Sequence, residues 1–175
     1  MKISEHTIRH FLHSYSNDIT HIGVAHTDFH TYHCSPAQLA RREEAARKQC
    51  GFFVRCFSQA LYGAKALRKP LEFSPLILTT IEGAHGTAIK SHTIHFNFAF
   101  GKLPNALSVA ELRQVFAHCW IDKAKLSPKK LYFEAANADS VPRWLNYITK
   151  EAEHGNLETW DFVNTRIPYV ALTAD

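Results

Sequence analysis

The chain has 175 residues, 46% of them hydrophobic and 21% charged, with a formal net charge of +4 and only 7 Gly and 7 Pro. That balance excludes a disordered, collagenous or linker-rich chain, and the length suits a single domain over 1–175. No apolar run approaches the roughly 20 residues of a membrane span, and the N-terminus lacks the layout of a secretory signal, so a soluble, cytoplasmic protein with no membrane partner is expected.

Residues 5–14 fit a short helix with Ile8, Phe11 and Leu12 inward, and residues 18–25 alternate as a strand. Residues 25–34 carry no helix-start pattern and read as a loop. Ser35-Pro36-Ala37-Gln38 opens a helix, with an N-cap, a first-turn proline and the Gln of a capping box. The helical pattern runs to about Ala66, and Gly51 and Gly63 are the points where it is weakest. Residues 73–81 read as a strand and 82–87 as a turn. In 91–100, Ile94, Phe96, Phe98 and Phe100 fall on one face, and Thr93, His95, Asn97 and Ala99 on the other. His95 and Asn97 therefore project side by side, ~7 Å apart along the strand.

Ser108-Val109-Ala110-Glu111 is a second capping box, opening a helix with Val109, Leu112, Phe116, Cys119 and Trp120 at helical spacing. Residues 130–135 make a further strand, and Asp139-Ser140-Val141-Pro142 opens a last helix that ends near Gly155. The fold class expected is α+β, a central antiparallel sheet with helices packed on it. The four cysteines, Cys34, Cys50, Cys56 and Cys119, form no CxxC and read as reduced structural thiols.

Charge is unevenly spread. Residues 41–69 hold eight Lys and Arg against two Glu, whereas residues 134–175 hold seven acids against three bases. Arg41, Arg42, Arg47 and Lys48 on the long helix, with Lys123, Lys125, Lys129 and Lys130, are the candidates for contact with a nucleic-acid backbone. Solvated helix faces would give the same pattern.

Three features carry chemistry. Glu82 ends a strand, His95 and Asn97 share a strand face, and Tyr147 precedes Lys150 by three residues on a predicted helix. A carboxylate, an imidazole and an amide oxygen suit a divalent ion such as Mg or Mn. A phenol is a competent nucleophile toward phosphorus once a neighbouring cation lowers the cost of its ionisation. The alternatives at these positions are structural: Tyr147 packing on Trp144, Lys150 pairing with Glu151 or Glu153, Glu82 capping a hairpin, and Asn97 satisfying the backbone. A separate cluster, His21, His26, His30 and His33 with Cys34, offers zinc-ligand types, and its imidazoles and Tyr32 are also able to meet DNA.

At Ile94-His95-Phe96-Asn97-Phe98-Ala99-Phe100 and Asn146-Tyr147-Ile148-Thr149-Lys150-Glu151, the chain resembles the HUH endonucleases, specifically the initiators of rolling-circle replication found on plasmids and phages. The family carries a His-hydrophobe-His strand motif and a downstream helix with the catalytic Tyr followed by Lys three residues later. The resemblance covers about 73–155, with 18–25 matching the first strand. It implies an HUH nuclease-like fold with an RRM-like sheet and a metal held by Glu82, His95 and Asn97. It also implies attack by Tyr147 on single-stranded or origin-hairpin DNA, with Lys150 stabilising charge. The product is a 5′-phosphotyrosine link and a free 3′-hydroxyl. Asn97 departs from the family, most of which has a second His there and some circovirus-type members Gln. A register in which Thr93 and His95 form the pair is the other alignment. The helicase domain of many viral members is absent, so unwinding would fall to a separate helicase. The second functional reading is a non-catalytic DNA-binding regulator or accessory factor on the same fold.

Overall fold

The computed structural model describes residues 4–83, 93–153 and 156–168. Helix α1 (Glu5–His13) precedes strand β1 (Ile19–His30), then α2 (Pro36–Tyr62) and the short α3 (Lys65–Arg68). Strands β2 (Leu76–Glu82) and β3 (Thr93–Gly101) follow, then α4 (Val109–Ala117), β4 (Tyr132–Ala135), α5 (Ser140–Ile148) and the short α6 (Lys150–Glu153). The four strands form one antiparallel sheet in the order β2-β3-β1-β4, with helices packed on it, an α+β fold. No helix among the described residues is long and apolar enough to cross a membrane.

Strand alternation decides which helix covers which face. Ile94, Phe96, Phe98 and Phe100 of β3 are fully buried against α2 and α4, in a core with Phe53, Phe57, Phe116 and Trp120. Each such side chain contributes ~1.5–3 kcal/mol on burial. The opposite face, through Leu76, Leu78 and Ala99, packs on Ile8 and Leu12 of α1 and on Val141, Leu145 and Ile148 of α5. Both faces are thus roofed, and β2 and β3 are buried along nearly their whole length.

Both capping boxes form as the sequence requires, at Ser35 with Gln38 and at Ser108 with Glu111. Helix α2 runs unbroken through Gly51 because that glycine admits a neighbour: a Cβ there would lie 2.7 Å from Asn164 Oδ1. The helix stops at Gly63, whose φ of 63° only glycine adopts freely. All four cysteines are free thiols, with Cys50 and Cys119 buried.

Several expectations are corrected. Residues 26–30 are not loop: β1 continues to His30, held by pairing of His26 with His95 and His30 with Thr93 and by Thr27 Oγ1 donating to Ile94 O. A register shift between His26 and His30 breaks the simple alternation that marks a strand in sequence. Beyond α4 the helix widens into a π-type turn, His118–Lys123, that delivers Trp120 Nε1 to His26 O at 3.1 Å. The last helix is not continuous either. It breaks at Thr149, whose hydroxyl donates back to Leu145 O at 2.8 Å. After α6 the acidic tail returns along the outer edge of β2, bridging Thr80 to Trp160 and Ile77 to Arg166. The expected turn at 82–87 lies outside the described residues beyond Gly83.

Candidate active site

The sheet register builds the site. Glu82 at the end of β2 lies opposite His95 of β3, and His95 lies opposite His26 of β1, so a carboxylate and two imidazoles form a row across three strands. One step along, Asn97 lies opposite Thr80. These side chains project from the face that α5 covers, because their parity is opposite to that of the four aromatic and aliphatic residues of β3 in the α2 core.

Glu82 is the hub. It is 3% exposed. Its Oε1 accepts from Asn97 Nδ2 at 2.8 Å, and its Oε2 lies 2.9 Å from Lys150 Nζ and 3.4 Å from His95 Nε2. Burial pushes the Glu82 carboxyl up, but the His95 and Lys150 contacts together outweigh it and hold the group below the usual carboxylate range. Burial pulls the Lys150 ammonium down, and its contacts with Glu82 and Tyr147 more than reverse this.

Tyr147 stands beside this hub. Its ring lies 3.7 Å from Lys150 Nζ, stacks on Trp144 at 5.4 Å, and is 46% exposed. Trp144 is fixed from below, its Nε1 donating to Phe98 O at 3.0 Å. The sequence predicts Lys150 on the same helix as Tyr147; in the structure the two lie on separate helices, α5 and α6. The break at Thr149 separates them, and the lysine still reaches across the tyrosine ring to Glu82. It does not pair with the acids beside it in sequence: Glu153 binds Arg9 at 2.7 Å, clamping α6 to α1. Tyr147, Lys150, Glu82, His95 and Asn97 are therefore brought together, and the packing of Tyr147 on Trp144 coexists with that arrangement.

The donor set suits a hard divalent cation. Asn97 is fully buried, and with its Nδ2 given to Glu82 its Oδ1 has no hydrogen-bond partner among the described residues, a costly arrangement unless something electropositive meets it. His95 turns Nδ1 toward Thr93 O at 3.4 Å, which directs Nε2 toward Glu82 in the manner of a ligand imidazole steadied by a carbonyl. Thr93, of the other alignment, places its hydroxyl 3.0 Å from His26 Nδ1. Among the described residues, no three His, Cys, Asp or Glu side chains converge to hold a metal, and the set here comprises two such groups and an amide. The histidines of the 21–34 segment disperse. The His21 ring lies on Phe133, His26 on His95, and His30 and His33 flank Tyr32.

Sequence reasoning missed two members of the site. The His26 ring stacks on His95 at 4.5 Å and 8°, and burial, then the charges of His95 and Lys130, lower its pKa to about 4. Its signal is the period-two series Ile22, Val24 and His26, which carries the strand past the end at residue 25 that the sequence suggests. Glu151 is 4% exposed, accepts from Asn156 Nδ2 at 2.8 Å, and is held above the usual range by burial and then by the nearby Glu82.

The basic candidates divide. Arg41, Arg42, Arg47 and Lys48 lie on α2, which covers the other face of the sheet. Arg47 is committed to the interior, 3.0 Å from the fully buried Asp161 and 2.7 Å from Glu43. Lys48 pairs with Glu44 at 2.7 Å, and Arg42 bonds His30 O and Cys34 Sγ. Lys123, Lys125, Lys129 and Lys130 are exposed, and among the described residues their ammonium groups form no ion pair. Lys130 lies close enough to His26 to disfavour its protonation, at the same end of the sheet as Glu82 and His95.

Comparison with protein-family models, with curated proteins and with solved structures yields no match for this chain.

Proposed function

We propose that the chain is a metal-dependent single-stranded DNA nickase and strand-joining enzyme of the HUH type, acting through Tyr147. The observation that carries this reading is the meeting of an exposed phenol, an ammonium at 3.7 Å from its ring and a buried Glu–His–Asn set reached by that same ammonium. Glu82, His95 and the bare Asn97 Oδ1 would hold Mg or Mn, and such an ion when bound polarises the scissile phosphate. Trp144 and Lys150 orient the Tyr147 ring on its two sides. Tyr147 Oη forms a bond to phosphorus as the bond to O3′ breaks, its proton passes to solvent, and the released O3′ takes one up. Lys150 stabilises the phenolate beforehand and the phosphate charge afterwards. The phosphotyrosine link preserves the energy of the cleaved bond, so joining needs no nucleotide cofactor. Exposed Lys123, Lys125, Lys129 and Lys130 supply backbone contact and salt-sensitive affinity.

One observation favours the second reading, a DNA-binding protein without catalysis: the Lys150 ammonium at 2.9 Å neutralises Glu82 without any metal. Incubation with single-stranded DNA and Mn, followed by a denaturing gel, separates the two. The enzyme gives a covalent adduct that Tyr147→Phe abolishes. DNA binding with no adduct across varied sequences leaves the regulator.

A further inference from the structure

The basic run at 41–69 is only partly absorbed by the contacts above, and its far end borders a surface groove. The groove lies between the C-terminal half of α2, α3, the segment before β2 and the tail that edges β2. It encloses about 450 Å³, within the range of ligand pockets, and Leu67, Pro70, Leu71, Ile167, Arg55 and Arg166 line it.

Folding alone does not account for its apolar side chains. α3 turns Ala66 inward, 5% exposed, and Leu67 outward, 58% exposed, so the helix buries its small side chain and shows water its large one. Leu71 is 68% exposed and Ile167 38%. Scattered exposed leucines are ordinary. Three large aliphatic side chains around one groove form a patch, and a patch rimmed by charge marks a contact surface.

The rim is cationic. Glu72, in the segment before β2, is taken by Lys69 at 3.1 Å, and Lys65 Nζ lies 5.2 Å from the centre of the Phe73 ring. Arg55, Arg68 and Arg166 form no ion pair among the described residues. Two of these guanidinium groups are held in place without being neutralised. Arg166 Nη1 donates to Val163 O at 2.8 Å and to Thr165 O at 3.1 Å, and Arg55 lies over the Phe52 ring at 5.7 Å. A fixed, unpaired guanidinium favours a carboxylate, which it meets through two parallel hydrogen bonds. Aliphatic walls favour aliphatic side chains, and among the described lining residues there is no aromatic ring on which a nucleobase stacks.

We infer that this groove docks a segment of a partner protein in which carboxylates flank leucine-like side chains. The apolar groups seat between Leu67, Leu71 and Ile167, and the acids meet Arg55 and Arg166. Arg166 is bridged to Ile77, five residues and ~17 Å of strand from Glu82. A docked segment therefore leaves the candidate active site open, and the inference stands apart from the nicking proposal.

The test is selection from a displayed library of random short peptides on the full chain, followed by fluorescence anisotropy of the enriched peptides made synthetically. These are expected to combine Asp or Glu with Leu, Ile or Phe. Their affinity is expected to fall about fivefold or more with Leu71→Asp and with Arg55→Glu. Both positions are exposed, and an unchanged urea midpoint verifies that each variant folds. Arg55→Glu is expected to gain affinity for a peptide whose acids are replaced by Lys. On the unaltered protein alone, no enrichment, or enrichment of peptides without acids, overturns the inference. Binding that both variants leave intact does the same. Displacement of the peptide by oligo(dT), by phosphatidylglycerol vesicles or by a peptide of residues 169–175 assigns the groove to DNA, to lipid or to this chain itself, and overturns it. So does a dimer in sedimentation that Leu71→Asp dissociates, which assigns the face to a second copy.

Discussion

Replacing Lys150 by Met tests the electrostatic hub of the site. Glu82 is 3% exposed and its Oε2 lies 2.9 Å from the ammonium, so the substitution leaves a carboxylate buried beside an apolar chain. Breaking a fully buried pair costs about 3–5 kcal/mol and an exposed one about 0–1 kcal/mol. Here the lysine is half-exposed, and Glu82 keeps Asn97 Nδ2 at 2.8 Å and His95 Nε2 at 3.4 Å. The expected loss is therefore intermediate, about 1–3 kcal/mol at pH 7. Glu82→Gln in the Lys150→Met background removes the uncompensated charge and should recover much of that loss, a non-additivity a double-mutant cycle reads directly. The sign of the pH dependence follows from the depressed Glu82 carboxyl. Its stabilisation is present above the ordinary value of 4.5 and is lost as pH falls through the lower folded value. Without Lys150 the carboxylate loses one of the two partners that oppose burial, so its folded value rises and the variant's deficit narrows as pH falls toward 4. Urea unfolding followed by circular dichroism at pH 7 and pH 4 measures both effects. An unchanged midpoint at pH 7, or a double variant as unstable as the two losses added, refutes this account of the hub.

Tyr147→Phe should abolish the covalent DNA adduct while leaving the thermal midpoint within the change typical of a surface substitution, ~0.5 kcal/mol, because the ring still packs on Trp144. If Asn97 Oδ1 is a metal ligand, Mn raises the melting temperature of the unaltered protein, and Asn97→Leu removes that shift; scanning fluorimetry decides it. Gly51→Ala should destabilise by ~1–2 kcal/mol despite the better helix propensity of Ala, since the new Cβ meets Asn164 Oδ1 at 2.7 Å and disturbs the bonds of Asn164 to Arg47 O and Asp161. A gain in urea midpoint would contradict that. Between pH 6.5 and about 4 the unfolded chain protonates His26 while the folded protein resists, so stability falls across that window. His26→Phe keeps the stack on His95 and should flatten part of the fall.

Much of the fold is local in origin and therefore legible in the chain. Ser35 and Ser108 cap their helices with groups three residues away, and period-two alternation in β3 separates the four large apolar side chains from His95 and Asn97 without reference to any other element. The residue types of the site were legible for the same reason. What the sequence left open is everything that depends on partners distant in the chain. The strand order β2-β3-β1-β4 sets Glu82 and His26 on either side of His95, and no local pattern encodes which strands become neighbours. The commitment of Arg47 to Asp161, far along the chain, withdraws a cation that charge distribution alone assigns to solvent. Thr149 ends α5 by bonding back to Leu145, so Lys150 reaches Glu82 through a break that helical spacing does not anticipate. Propensity and alternation act over one or two turns and fix the elements. Pairing register and long-range charge contacts, which exist only once the chain has closed on itself, decide which of their side chains meet.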